Sequence, residues 1–301
     1  MIASHAALDE TSRRLMMEIG PAWGQDILKH RDIVLRAYGP VLECAPKGGI
    51  SVTRDIAYGP HARQVLDLFV PSGVADAPVV VFVHGGVFVR GDKRVSSEVY
   101  DNVLYWFARH GFIGINIEYR LAPESQWPSG ADDLGLAIAW TRAEVARHGG
   151  KPDAIFAIGH SAGSTHVATY AYDPAAGYFG RGLAGIVLLS PRVRIDISME
   201  NPFAANVRSY FGDDESVYEA RSPVTHAAIS PLPVMIAIAE FENPLLDVYG
   251  LELAYRIAAA RRRAPRFMRL TGHNHISLVA HFNTVEDTLG REIKEFTRRL
   301  V

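Results

Sequence analysis

Ala154-Ile155-Phe156-Ala157-Ile158 runs directly into Gly159-His160-Ser161-Ala162-Gly163, and an apparent helix from Ala162 to Tyr172 follows at once. A short, continuous apolar run reads as a strand buried on both faces. G-x-S-x-G between such a strand and a helix makes a sharp, strained turn that holds a serine hydroxyl out over the sheet edge. Flanking glycines leave no side chain to collide with that turn. The helix begins immediately, so its first N–H groups and its dipole face any negative charge that forms beside Ser161.

Working outward, more short β-branched or apolar runs appear: Gln64 to Val70, Pro78 to Val83, Phe112 to Tyr119, Leu183 to Leu189, Pro233 to Ala239 and Arg266 to Leu270. Lys47-Gly48-Gly49 reads as the turn into the first strand. Helical spacing lies between them. Leu134, Ala137, Ile138, Thr141 and Val145 share one face, as do Leu246, Leu253 and Ile257, and then Val285, Leu289, Ile293, Phe296 and Leu300. Strands alternating with helices predict a doubly wound α/β sheet. Residues 1–45 look helical, and residues 191–222 follow a strand and read as irregular. Together these two stretches are expected to cover the carboxyl edge of the sheet, where ligands of open α/β sheets bind.

The 301 residues carry 31 Lys+Arg against 33 Asp+Glu, which excludes a strongly basic nucleic-acid binder and an acidic disordered tail. Cys44 is the single cysteine, so neither an intrachain disulfide nor a CxxC zinc site is available. No apolar run approaches the ~20 residues of a membrane helix. The first residues lack a basic stretch followed by an apolar one, so the expectation is a cytoplasmic chain without a secretory signal.

Val83-His84-Gly85-Gly86 ends the most apolar strand. Glycine there lets backbone N–H groups approach a substrate. Gly85 and Gly86 with the Ala162 N–H would form an oxyanion hole, and His84 would shape the loop. A serine nucleophile also needs a base and an acid that orients it. After Ser161 the strand ending near Ala239 is followed by Glu240-Phe241-Glu242, and the strand ending near Leu270 by Thr271-Gly272-His273-Asn274-His275-Ile276-Ser277. Glu240, Glu242 and Asp247 are candidate acids, and His273 and His275 candidate bases. His275 lies further into the loop, where the chain must turn. His148, His166, His226 and His281 lack placement at a strand end and read as surface or core. A metal hydrolase built on His273, His275 and His281 lacks the accompanying carboxylate spacing.

His84-Gly85-Gly86, Glu118-Tyr119-Arg120-Leu121-Ala122-Pro123-Glu124, Asp132-Asp133 and Gly159-His160-Ser161-Ala162-Gly163 occur in that order. From about residue 50 onward the chain resembles α/β-hydrolase-fold carboxylesterases, the hormone-sensitive-lipase-like branch and its kynurenine-formamidase-like neighbours. Val87 stands where the lipase branch has a third glycine, which leans toward the formamidase-like neighbours. The resemblance implies one domain over residues 1–301, with an eight-stranded, mostly parallel sheet, an N-terminal helical cap segment (1–45) and a lid insertion (191–222). It aligns Ala239-Glu240-Phe241-Glu242 with A-E-[FY]-D, making Glu242 the acid, and the second histidine of its G-H-N-H pattern, His275, the base. Tyr119, Arg120 and Asp133 become a bracing network.

The expected activity is serine hydrolysis of carboxylic esters with small to medium acyl or aryl groups, through an acyl-enzyme. An arylformamidase or amidase on the same triad, and a non-catalytic binding protein of the same fold, are the alternatives. No cofactor and no metal is expected. The expected partner is a small-molecule ester or amide, not nucleic acid or membrane, and a homodimer stays open.

Overall fold

The computed structural model describes residues 7–301. Its centre is an eight-stranded sheet: β1 (Ile50–Ala57), β2 (Val65–Pro71), β3 (Ala77–Val83), β4 (Ile113–Ile117), β5 (Gly150–His160), β6 (Gly185–Leu189), β7 (Val234–Phe241) and β8 (Arg266–Asn274). The spatial order is β1-β2-β4-β3-β5-β6-β7-β8. β2 runs antiparallel to β1 and β4, and the other neighbours are parallel.

Alternation along β3 explains the apolar run. Val79, Val81 and Val83 belong to the core on one face, Val80 and Phe82 to the core on the other. Each such buried side chain contributes about 1.5–3 kcal/mol relative to exposure. The first core is closed by α4 (Ser129–Glu144), α5 (Ala162–Tyr172) and α9 (Leu246–Arg261). On the opposite face lie α1 (Glu10–Ile19), α2 (Ile27–Glu43), α3 (Asp101–Arg109) and α11 (Thr288–Arg298). Short helices α6 (Ala204–Phe211), α7 (Tyr218–Arg221), α8 (Pro223–His226) and α10 (Ser277–Ala280) complete the described elements in chain order.

The helical expectation for residues 1–45 is met by α1 and α2, each started by an aspartate. Asp9 accepts the Ser12 N–H, and Asp26 the Lys29 N–H. Residues 1–6 lie outside the described residues. Three readings need correction. Residues 191–222 are not irregular throughout: α6 and α7 form there because Val207, Tyr210, Phe211 and Tyr218 gain a small apolar core with Phe88 and Ala122. Val285 is not on the last helix; it is 51% exposed, and α11 starts at Thr288. The last strand does not end near Leu270, and Gly272 lies within it. This glycine sits at a register irregularity between β7 and β8, with φ +79°, and β8 continues to Asn274. No helix among the described residues is long and apolar enough to cross a membrane.

Candidate active site

β5 ends at His160, and the next residue carries the turn. Ser161 has φ 56° and ψ −118°, a conformation costly for a residue with a side chain. Packing imposes it. A Cβ on Gly163 would lie 2.1 Å from the Val83 carbonyl oxygen, and one on Gly159 2.5 Å from that of Gly163. The turn is thus pressed against the end of β3 with no room for larger residues. The Ser161 N–H is fixed by the Leu189 carbonyl at 2.9 Å. Beneath it, Ser164 Oγ donates to the Gly159 carbonyl at 2.7 Å, which satisfies a polar group inside the wholly buried α5.

The loop after β3 lies directly on this turn. A Cβ on Gly85 would sit 3.1 Å from Ser161 Cβ. Gly86 has φ +147°, and a Cβ there would meet the Arg90 carbonyl oxygen at 1.8 Å, so the loop doubles back on itself in a way only glycine permits. The Gly86 and Ala162 N–H groups find no acceptor among the described residues. The Gly85 N–H faces the Tyr100 hydroxyl oxygen.

The loop is braced from below. Tyr119 Oη donates to the His84 carbonyl at 2.9 Å. His84 sets Nδ1 at 2.7 Å from the Gly85 carbonyl and Nε2 at 2.8 Å from Glu118 Oε1. Burial raises the Glu118 carboxyl, but His84, the Lys93 N–H and Arg63 outweigh it and hold the group below the usual carboxylate range. Asp133 accepts from the Arg120 backbone at 2.7 Å and from Gln64 at 2.7 Å. Tyr119, Arg120 and Asp133 therefore form one hydrogen-bonded frame with the His84 loop.

Two strand ends bring in the remaining groups. His275 Nδ1 lies 2.8 Å from Glu242 Oε2, and both side chains are at most 5% exposed. Glu242 Oε1 is held by Ser190 Oγ at 2.5 Å and the Ala239 N–H at 2.8 Å. Ser161 and His275 line one cavity of about 420 Å³ together with Gly85, Gly86 and Asn243. No hydrogen bond joins Ser161 Oγ to His275 among the described residues; such bonds commonly tighten only when substrate is bound.

The rival candidates are engaged elsewhere. Glu240 accepts the Gly272 N–H at 2.7 Å and pairs with Arg269, closing the register irregularity. Asp247 lies on α9, and no hydrogen bond or ion pair among the described residues joins it to His275. His273 Nε2 is 2.8 Å from Glu286 Oε1, and its ring lines a separate cavity with Ser277. His273 and His275 thus occupy different surroundings despite their spacing.

Sequence reasoning passed over four participants. Ser190 anchors the Glu242 carboxylate. Asn243, beside Glu242, accepts the Trp23 indole N–H at 2.8 Å and so ties the N-terminal segment to the acid loop. Tyr100 and His160 link the two halves of the site. His160 Nε2 lies 3.0 Å from the His275 carbonyl, so that nitrogen carries the proton, and Nδ1 accepts from Tyr100 Oη at 3.2 Å. Burial, and next the neighbouring His275, push His160 well below the ordinary histidine value; burial pushes Tyr100 up to about 12 despite the Gly85 N–H. Both groups are therefore neutral, as this chain of bonds requires. Ser190, directly after β6, carried the one readable signal: a polar residue at a strand's carboxyl end.

Comparison with solved structures decides the fold. A bacterial heroin esterase superposes with a TM-score of 0.72 over 98% of both chains at 21% identity, and a thermostable esterase from Pseudomonas putida does so with 0.72 over 98% of both at 17%. The chain has the α/β-hydrolase fold. In sequence, the BD-FAE family model matches residues 66–175 of this α/β-hydrolase chain. Esterase LipQ of Mycobacterium tuberculosis is 29% identical over 75% of the chain and 59% of its own length. Esterase LipC of the same organism is 37% identical over 36% of the chain and 27% of its own length. The chain thus covers about a quarter to three-fifths of these curated relatives.

Proposed function

We propose that the protein is a carboxylic ester hydrolase with Ser161 as nucleophile, His275 as general base and Glu242 as the acid that orients it. The observation that carries this reading is the His275–Glu242 pair at 2.8 Å, with its carboxylate doubly anchored, facing the same cavity as the strained Ser161. Glu242 accepts a hydrogen bond from the Nδ1–H, which leaves Nε2 free to take a proton from Ser161 Oγ. Oγ attacks the ester carbonyl as that proton moves to Nε2. The oxyanion forms against the Gly86 and Ala162 N–H groups, with Gly85 beside them. Collapse expels the alcohol, which takes the proton from Nε2. Water, deprotonated by the same nitrogen, then attacks the acyl-enzyme and releases the acid and Ser161.

The cavity is sized for small to medium acyl or aryl groups. The named esterases among the relatives and structural neighbours support the reaction class. The fold of residues 7–301 supports the reading of residues 1–301 as a single unit, in which residues 7–45 and 191–222 act as cover for the cavity. The test is turnover of 4-nitrophenyl acetate together with labelling by a fluorophosphonate. One adduct per chain, mapped to Ser161 and absent from Ser161→Ala, is the expected result; turnover that survives in Ser161→Ala refutes the proposal.

A further inference from the structure

The charge around the cavity mouth is one-sided. Arg31, Arg90 and Arg94 line it against one acidic residue, Asp92. The chain as a whole has more acidic than basic residues, so this is a local concentration. Arg31 has its charge answered next door, with Nη2 2.8 Å from Asp32 Oδ1. Asp92 uses an oxygen to accept the Arg94 backbone N–H at 2.9 Å. Arg90 forms no ion pair with any described residue; Arg94 forms none within bonding distance, though its charge helps to hold the Asp55 carboxyl below the usual range. Both side chains are exposed, so neither needs a partner to stay charged, whereas the half-buried arginines elsewhere are paired: Arg54 with Asp67 and Asp101, Arg120 with Asp133, and Arg194 with Glu219 and Glu252.

Arg90 is also held in place. Its guanidinium lies over the Phe203 ring, 5.8 Å from the centroid, and so bridges the oxyanion loop and residues 191–222. Its backbone N–H donates to the Gly86 carbonyl at 3.2 Å. Gly91, at φ +113°, packs against the Gly85 carbonyl, where a Cβ would come within 2.4 Å. This tight reversal fixes the backbone from which Arg90 projects, shortly after the glycines beside Ser161, and both Arg90 and Ser161 line the one cavity. Ile27, Val87, Val95 and Ile276 add apolar surface to the same lining.

A reactive end, an apolar lining and an unanswered planar cation at the mouth describe a ligand of matching layout. Resting on the esterase reading above, we propose that the preferred substrates are esters carrying a carboxylate, separated from the scissile carbonyl by a short apolar spacer and received by Arg90 with Arg94 beside it. A guanidinium suits a carboxylate because its fork of donors matches the two oxygens. The surrounding positive potential also raises the encounter rate of anions, an effect that salt screens.

The experiment compares kcat/KM for two matched pairs after subtracting uncatalysed hydrolysis. One pair places the charge on the acyl side: 4-nitrophenyl hydrogen adipate against 4-nitrophenyl hexanoate. The other places it on the leaving group: 4-carboxyphenyl hexanoate against 4-carbamoylphenyl hexanoate. Two rim contacts of exposed type predict an anionic preference of about fivefold or more in at least one pair. That preference should shrink between 20 and 500 mM NaCl. Arg90→Gln/Arg94→Gln should bring the ratio to about one, while Arg147→Gln, a charge loss on the exposed surface, leaves it unchanged. If both neutral esters are cleaved and neither anionic partner is preferred, or the ratio survives the double substitution, this inference falls and the esterase reading stands. If none of the four esters is cleaved, the esterase reading falls, and the inference with it.

Discussion

Replacing Glu242 by glutamine should harm catalysis more than replacing it by alanine. Glu242 Oε1 faces two donors, Ser190 Oγ at 2.5 Å and the Ala239 N–H at 2.8 Å, whereas Oε2 faces His275 Nδ1 at 2.8 Å. A glutamine amide has one oxygen. Set toward the two donors, it keeps both bonds, at about 1 kcal/mol each. Flipped, it points its NH₂ at them; the Ser190 hydroxyl can turn to accept, but the Ala239 N–H is left without a partner, at about 1–3 kcal/mol. The first orientation therefore dominates and presents NH₂ to His275 Nδ1. A donor there requires Nδ1 to be an acceptor, which places the ring proton on Nε2, where the base must be empty. Lost charge and wrong tautomer together predict a fall in kcat of roughly 10³–10⁴. Alanine removes the charge but leaves the imidazole free to choose its tautomer, so its fall should be the smaller of the two. Steady-state hydrolysis of 4-nitrophenyl acetate, with melting temperatures to show that each variant is folded, checks the order. A glutamine variant within tenfold of the parent, or more active than the alanine variant, refutes the argument.

Ser161→Ala should lower kcat by about 10⁴ or more and, by relieving no packing, leave the melting temperature within a few degrees. His275→Ala should abolish turnover, whereas His273→Ala should cost at most about tenfold in rate while lowering stability, because Glu286 then loses its partner; kcat and urea midpoints for the two variants separate these roles. Stability should depend on pH through buried neutral histidines. Burial lowers His281 to about 4 and His166 to about 3. Their folded values lie below the ordinary value near 6.5, so the unfolded chain binds more protons as the medium is acidified. Stability is then full above about pH 6.5 and drains away as pH falls toward 4; urea midpoints that stay level from pH 8 to 5 contradict this.

The fold was legible because its signal is local. β3 and β6 are apolar at every position since both sheet faces are covered, and the G-x-S-x-G turn needs its glycines for backbone clearance. Ends of elements were less legible. β7 and β8 run past Ala239 and Leu270 because Glu240 supplies an acceptor for the Gly272 N–H, a bond between residues 32 positions apart. The pairing of His275 with Glu242 was readable only through resemblance. Strand counting leaves His273 an equal claim; Glu286 holds His273 in another cavity, and this supports the proposal of His275 as the base.

His160 shows where reading by motif stops. In G-x-S-x-G its position is unspecified, since the turn's geometry asks nothing of that side chain. Its neighbours ask a great deal. Tyr100, 60 residues earlier, offers a hydroxyl proton, and the His275 carbonyl, 115 residues later, needs one. A side chain there must accept at one end and donate at the other while uncharged, and a buried imidazole does both across one ring. A carboxylate would set its oxygens against the His275 carbonyl and push away the backbone that carries the base. The requirement on His160 thus arises from the meeting of three distant segments, and no spacing within any one of them records it.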